Sequence, residues 1–396
     1  MRLDDDERHP TVMPPLYRAA MTLLILTAVL CGLAFLFHVL SIGAAMARCK
    51  ARPQPESAPP AAPAVSIIRP LCGIENHIAE TLRTTFVLDY PDYEIIFCVA
   101  SAADPVIPIV DALIAEHPHR HARLLVGDER ISNNPKLNNC VKGWNAAAHD
   151  WIVIADSNVL MPRDYIQRLL ASWQDDTGLV CAPPIGSRPQ NFWAELECAF
   201  LNTYQARVQY FADTIGIGFA QGKTLFWRRA VLDDAGGIRR LAADLAEDAA
   251  STKVVRAAGL RVHLVDRPFE QPLGYRTALE VWRRQSRWAR LRRACFPLFF
   301  LPEILSGALF PMIALGFTVD ALGGPAAPAV FLSALVWYGV EMVLAYAARW
   351  HLSPLYPVHA LLRDLLLPVL WLDGLLGSDF EWRGNAMSVA ADSQTA

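Results

Sequence analysis

Carboxylates stand just beyond apolar, β-rich runs in this chain, and that placement is its main chemical signal. Asp104 follows YEIIFCVA across the short loop SAAD, and Asp156 closes WIVIAD, with Ser157 and Asn158 behind it. Glu247 and Asp248 lie in LAEDAAS, where a helix should begin. A carboxylate at the end of a buried strand is well placed to hold a divalent cation. Such a cation can bridge diphosphate oxygens and offset the charge of a leaving group. The same residue types also serve as helix caps. Pro162 suits a first helical turn shortly after Asp156, and Asp248 would be favoured in the positive first turn of its own helix.

The run RRQSRWARLRR, Arg283 to Arg293, carries two compatible readings. Arg284 and Arg287, three apart, share a helix face, where two guanidiniums could clamp a diphosphate while Trp288 stacks on an acceptor. Beside an apolar segment the run is also a juxtamembrane anchor, with Arg at lipid headgroups and Trp at the interface. An active site touching the bilayer would imply a lipid substrate. Lys136, in NNPKLNN, could contact a phosphate or simply be exposed. Gln221-Gly222-Lys223, after Gly216 and Gly218, suits a flexible loop near substrate or a turn before FWRR. His117, His119 and His121 alternate along a Pro-containing stretch and read as a solvated loop. No GxGxxG or GxxxxGK[ST] is present, so the glycine loops of dinucleotide enzymes and nucleoside triphosphatases are absent.

These residues need a scaffold, and the middle of the chain alternates strand and helix patterns. Strand candidates are 65–71, 93–100, 123–126, 151–155, 179–182 and 261–265. Helix candidates are 74–87, 105–116, 137–149, 162–173, 192–211 and 244–258. That alternation predicts an α/β domain with a mostly parallel sheet covered on both faces, and the continuous apolar strands agree. Ligands on such sheets bind beyond the carboxyl ends of the strands.

Composition and hydropathy set the surroundings. The 396 residues are 53% apolar and 19% charged, against roughly 25% charged in an ordinary soluble domain. That excludes a disordered chain and a wholly soluble enzyme. The net charge of −3 gives no basic excess for nucleic acid. Eight cysteines without a CxxC pair argue against a disulfide scaffold or a zinc site and suit a reducing compartment. Ala19–Ala47 is 29 residues without Asp, Glu, Lys or Arg, long enough for an uncleaved anchor. Between Arg293 and Arg349 the only charges are Glu303, Asp320 and Glu341, and Leu352–Leu372 is a further apolar run broken by Arg363 and Asp364, so two or three C-terminal spans are expected. The expected organisation is a tail and anchor over 1–50, a Pro-rich linker over 51–64, the α/β domain over 65–293, a membrane region over 294–376 and a tail over 377–396. Arg48, Lys50 and Arg52 after the first span, and the arginine run before the second, predict a multi-pass cell-membrane protein with its domain facing the cytoplasm.

In order and spacing, Asp104, Asp156, Asp248 and the Arg284–Trp288 segment RQSRW resemble the GT-A-fold glycosyltransferases of family 2 and, more closely, family 21, the ceramide glucosyltransferase family. The likeness extends through VSIIRPLCGIE, NPKLNN, DSNVLMPRDY, LDDAGG and AEDAASTKVV and covers most of the chain. It departs from the animal enzymes at Asn158, Cys181 and Ala249, where they carry Gly, His and an aromatic. The resemblance implies that Asp104 binds the uridine diphosphate part of the donor. Asp156 would hold a divalent cation, Mg²⁺ or Mn²⁺, and Asp248 would be the catalytic base. Lys136, Arg284 and Arg287 would contact the donor, while Trp288 and Gln285 close on donor and acceptor. The partners implied are a nucleotide sugar, UDP-glucose, and a lipid acceptor in the bilayer, ceramide. Alternatives are a hopanoid or other lipid acceptor with UDP-N-acetylglucosamine or UDP-galactose, and a non-catalytic lipid-binding membrane protein.

Overall fold

The computed structural model describes residues 15–50, 62–382 and 384–389, so most of the expected linker lies outside the described residues. Seven strands form the central sheet in the order β3-β2-β1-β4-β7-β5-β8. They are β1 (Val65–Leu71), β2 (Tyr93–Val99), β3 (His121–Val126), β4 (Trp151–Ala155), β5 (Thr177–Cys181), β7 (Thr224–Arg228) and β8 (Arg261–Leu264). β6 (Ile185–Pro189) pairs in parallel with β9 (Glu270–Gly274), and β10 (Asp379–Trp382) pairs antiparallel with β11 (Asn385–Ser388). Every residue of β1 and β2 is buried, which accounts for their mostly apolar character; the polar exceptions are paired, Ser66 donating to Glu94 at 2.6 Å and Arg69 to the Ser157 carbonyl at 2.9 Å.

The sheet is mostly parallel, as the GT-A expectation requires, with β7 as the exception. β7 runs antiparallel between β4 and β5, with Ala155 opposite Thr224. Hydrophobic patterning alone could not reveal this strand: TLFWR follows a glycine-rich loop, and its neighbours are set only by the crossover of the chain.

Along the strands, alternate side chains feed two cores. Ile67, Ile95, Val153 and Phe226 face α2 (Ile78–Thr84), α3 (Ile107–Glu116) and α5 (Tyr165–Ala171). Ile68, Ile96, Ile154 and Trp227 face α4 (Pro135–Ala146) and α9 (Glu247–Ala257). Between them in sequence, α6 (Phe192–Ala199), a π-helical turn (Phe200–Ala206) and α7 (Arg207–Thr214) make one continuous rod, and the short α8 (Arg229–Asp233) follows β7.

The remaining helices are α1 (Pro15–Cys49), α10 (Ala278–Cys295), α11 (Pro297–Phe300), α12 (Leu309–Ala321), α13 (Ala326–Ala348) and α14 (Tyr356–Leu376). Among the described residues, Arg18–Cys49 and Ala326–Ala348 are long and apolar enough to cross a membrane. Pro297–Leu305 with Leu309–Ala321 makes a third candidate, bent by 47°. Pro302 and Pro311 flank the bend, and each removes a backbone donor from its helix. The inner end of α1 does not stop at the domain: Ile42, Ala45 and Cys49 enter the same core as Ile68 and Trp227. Arg48 fastens it, donating to the Asp213 carboxylate at 3.0 Å and the Leu264 carbonyl at 2.6 Å.

Arg363 and Asp364 do not interrupt α14. Both are fully buried on its protein-facing side. The Arg363 guanidinium lies 3.1 Å from Glu341 on α13 and 2.8 Å from Asp364. Arg207 stands 3.5 Å from the same Glu341, so two cations meet two anions where apolar helices pack. The opposite face of α14 presents Val358, Leu361, Leu365 and Val369 outward.

Removing one member of such a cluster leaves a buried uncompensated charge. Arg363→Met is therefore expected to destabilise the protein by about 3–5 kcal/mol. The measurement is thermal unfolding of the detergent-solubilised protein by tryptophan fluorescence. An unchanged melting temperature would show that the cluster is not needed for packing.

Candidate active site

The carboxyl end of β4, the start of α4, the start of α9 and the loop before β7 converge on one small ionic cluster. α4 opens with Asn134 as its cap, whose side-chain oxygen accepts from the Lys136 N–H at 2.9 Å and the Leu137 N–H at 3.1 Å. Pro135 fills the first turn, where its missing N–H costs nothing. The Asn134 amide nitrogen reaches across to the Glu247 carboxylate at 2.7 Å. Lys136 thereby points its ammonium into the cluster, 2.6 Å from Asp156 Oδ1 and 2.7 Å from Glu247 Oε1, and also donates to the Gly222 carbonyl. Lys223 takes the other side. Its ammonium is 2.8 Å from Asp156 Oδ2 and 3.0 Å from Asn158 Oδ1.

The loop after β4 is held from beneath. Arg69, fully buried on β1, donates to the Ser157 carbonyl at 2.9 Å and the Thr85 hydroxyl at 2.8 Å. Glu75 bonds Ser157 and accepts from the Asn158 amide at 3.2 Å. Asp156 is thus more than a helix cap.

Burial and neighbours set the charges. Burial opposes the Asp156 charge, but Lys136 and Lys223 outweigh it and hold the carboxyl below the usual carboxylate range. Burial likewise opposes the Lys136 charge, and Asp156 and Glu247 overcome it, raising its pKa above the usual lysine range. Asp248 goes the other way. Burial first, then the Glu247 charge beside it, push its pKa up to about 6. Its Oδ2 accepts from the Gly222 N–H at 2.9 Å and its Oδ1 from the Ala249 N–H at 2.8 Å. Those contacts position the carboxylate at the first turn of α9. A buried carboxyl with a raised pKa in a cleft has the character of a general base.

One cavity of ≈2410 Å³ joins these residues. Asp104, Lys136, Asp156, Asp248, Arg284, Arg287 and Trp288 all line it. Asp104 sits at its β1 side, where both carboxylate oxygens accept from the Gly73 N–H and Oδ1 also accepts from the Val106 N–H. Gly73 adopts φ +68°, a conformation that favours glycine, which brings its N–H to the carboxylate. Arg284 pairs with the buried Glu197, and the Arg287 guanidinium lies 5.6 Å from the Trp382 ring centroid. Trp288 packs against the cluster of Ala194, Cys198, Leu201 and Leu273.

Gln285 is the exception. It is buried, accepts from the Gln205 amide at 2.9 Å, and is not among the residues lining the cavity, because its helix position faces the π-helical turn. The arginine run is also bound to protein more than the anchor reading supposed. Arg290 pairs with Asp373 at 3.0 Å, Arg292 with Glu303 at 2.7 Å, and Arg293 donates to the Gly377 carbonyl at 2.9 Å.

Sequence reasoning missed three contributors. Glu247, beside Asp248 in LAEDAAS, shares Lys136 with Asp156. Lys223, in a segment that suits a loop near substrate or a turn, pairs with Asp156 and Asn158. The expected tail instead forms the β10–β11 hairpin, which lines the cavity and places Trp382 beside Arg287. The signal for Lys223 was present only as a glycine-flanked lysine with no visible partner.

Whether Asp156 suits a divalent ion can be judged from its surroundings. Both its oxygens are engaged by ammonium groups, and Glu247 is engaged by one of the same lysines. Among the described residues no three His, Cys, Asp or Glu side chains converge on a common point. Mg²⁺ needs near-octahedral oxygen coordination at about 2.0–2.1 Å. Asp156 and Asn158 with two lysines between and beside them do not fit that donor set.

The family model "Glycosyl transferase family 21" matches residues 33–395. Ceramide glucosyltransferase 1 of Caenorhabditis elegans is 26% identical over 363 residues, covering 90% of this chain and 77% of that protein. A ceramide glucosyltransferase of Komagataella phaffii is 44% identical over 105 residues, 26% of this chain and 21% of that one. Among solved structures, the mannosyltransferase PcManGT from Pyrobaculum calidifontis, in complex with GDP-Man and Mn²⁺, is 20% identical with a TM-score of 0.47, covering 87% of this chain and 99% of that one.

A Cβ on Gly222 would lie 2.6 Å from Glu247 Oε1 and 3.0 Å from the Lys136 ammonium. Gly222→Ala should therefore lower the melting temperature, and less so in a Glu247→Ala background. A double-mutant cycle read by thermal unfolding should give a coupling of about 0.5–3 kcal/mol. Additive effects would mean that Gly222 does not press on this ion pair.

Proposed function

The chain belongs to glycosyl transferase family 21, and from that premise we propose that it is an inverting membrane glycosyltransferase moving glucose from UDP-glucose onto the hydroxyl of a ceramide. One observation carries the lipid acceptor. The cavity holding Asp156 and Asp248 continues to Leu33 and Phe37 on the apolar helix α1, to Phe211 on α7, and to Trp337 on α13. A lipid seated among these helices can present a polar head to Asp248 while its chains stay in the bilayer.

In this reading Asp248 accepts the proton of the acceptor hydroxyl as that oxygen attacks the anomeric carbon. The bond from that carbon to the β-phosphate oxygen breaks, and the electron pair leaves with uridine diphosphate. A single displacement from the opposite face gives the β-linkage. Asp104, which lines the same cavity, would contact the uridine end of the donor. Arg284 and Arg287 line the cavity and would offset charge developing on the diphosphate, and Trp288 would close over the acceptor. The resemblance also puts Mg²⁺ or Mn²⁺ at Asp156, with Asn158 as the other available ligand. Because the donor set does not fit, no step here passes through an ion. Arg48 and Lys50 at the inner end of α1 support a cytoplasmic position for the α/β domain.

The test is a turnover assay on detergent-purified protein. It offers UDP-glucose, UDP-galactose and UDP-N-acetylglucosamine against ceramide, diacylglycerol and a hopanoid, with products read by mass spectrometry. Glucosylceramide is the expected product. A different sugar or lipid in the product would overturn that part of the reading, and no transfer to any lipid would overturn the whole. Asp248→Asn should lower kcat by about 10²–10⁴-fold while UDP affinity is unchanged. Turnover should fall as pH drops through about 6, because the base must be ionised and its pKa is raised to about 6. Glu247→Gln removes a neighbouring negative charge, so the acid limb of its pH–rate profile should move to lower pH. A limb that stays in place would assign it to another group.

A further inference from the structure

The antiparallel strand β7 does more than complete the sheet. Its register with β4 pairs Ala155 with Thr224, so Asp156 and Lys223 are the next cross-strand neighbours. The Asp156 N–H donates to the Lys223 carbonyl at 3.0 Å, which fixes the two backbones side by side. Their side chains then meet on the cavity side of the sheet edge, since both line the cavity. Asp156 Oδ2 and Asn158 Oδ1 converge on one point, and the Lys223 ammonium occupies it at 2.8 and 3.0 Å. Two oxygens aimed at one position make a cation site, and here the cation is a side chain of the chain itself.

Resting on the family reading above, we propose that Lys223 is the resident cation of the donor site, contacting the diphosphate of the nucleotide sugar and making donor binding and transfer independent of a divalent metal. Three features support this. Lys136 already binds Asp156 Oδ1, so a metal replacing Lys223 would sit against a second buried ammonium. Lys223 spends two of its three N–H groups on Asp156 and Asn158, leaving one for a phosphate oxygen, as a point charge can bind it. Asn158 also fits the role. A neutral carboxamide oxygen suits an ammonium neighbour, whereas a second carboxylate there would strengthen divalent binding. During transfer no proton moves at Lys223. The electron pair of the broken bond stays on the β-phosphate oxygen, and the ammonium offsets its charge.

The experiment uses the full chain in detergent and reads UDP affinity by calorimetry, Mn²⁺ occupancy by electron paramagnetic resonance, and turnover. Wild type should bind UDP equally with EDTA or Mn²⁺, within about 2-fold, and should hold no Mn²⁺ in the presence of UDP. Lys223→Met should lose about 10²-fold or more in kcat/KM and in EDTA should bind UDP more weakly. Lys223→Arg, which keeps the charge, should recover part of both. Tight Mn²⁺ binding by wild type, or loss of UDP binding in EDTA, would overturn the proposal. So would UDP affinity unchanged by Lys223→Met in a protein whose melting temperature shows it folded. UDP binding that needs Lys223 but not metal, in a protein that glycosylates none of the offered lipids, would uphold this inference while the acceptor reading fails.

Discussion

The buried ammonium of Lys136 is the contact on which the site depends. It reaches from the first turn of α4 to the end of β4 through Asp156, to the start of α9 through Glu247, and to the loop before β7 through the Gly222 carbonyl. Four segments far apart in sequence are thereby held at one point. Unpaired, any of these ions would be too costly to bury, so the cluster forms as a unit. Its consequence is asymmetric. Asp156, flanked by two ammoniums, stays firmly charged, whereas Asp248, with Glu247 as its nearest charged neighbour in sequence, is the carboxylate whose proton affinity is raised. Two acids in one cavity thus have their proton affinities pushed in opposite directions by placement alone.

A second constraint couples this cluster to the apolar helices. The inner end of α1 is part of the domain core, and Arg48 ties it to Asp213 beside β8. On the other side α10 packs against α14, with Arg290, Arg292 and Arg293 bonded to protein groups. The arginines that a hydropathy reading assigns to lipid headgroups therefore also serve as struts between the domain and the C-terminal helices. A single cavity runs from the strand ends to α1 and α13, and under the proposed function that continuity would bring a sugar donor from water and an acceptor from lipid together.

Much of this was legible in the residues. Strands β1 and β4 lie where their mostly apolar runs predict, because a strand buried on both faces leaves a hydrophobic signature on both. The π-helical turn at 200–206 was invisible, since its sequence continues the helical pattern on either side. β6, β7 and β9 were missed because short strands after glycine-rich or proline-containing loops carry little periodicity of their own. Arg363 and Asp364 read as a break in an apolar run, yet the helix continues through them, because each finds a buried partner that hydropathy does not register.

The sequence by itself determined the class of scaffold, the long apolar segments toward its two ends and the carboxylates at strand ends, since these follow from local composition and periodicity. Tertiary structure decided which charges meet. Lys223 faces Asp156 only because β7 inserts antiparallel beside β4. Trp382 reaches Arg287 only because the C-terminal hairpin folds back over α10. Gln285 leaves the cavity only because its face of α10 packs on Gln205. Pairings between segments distant along the chain depend on register and packing, and no local pattern of residues encodes them.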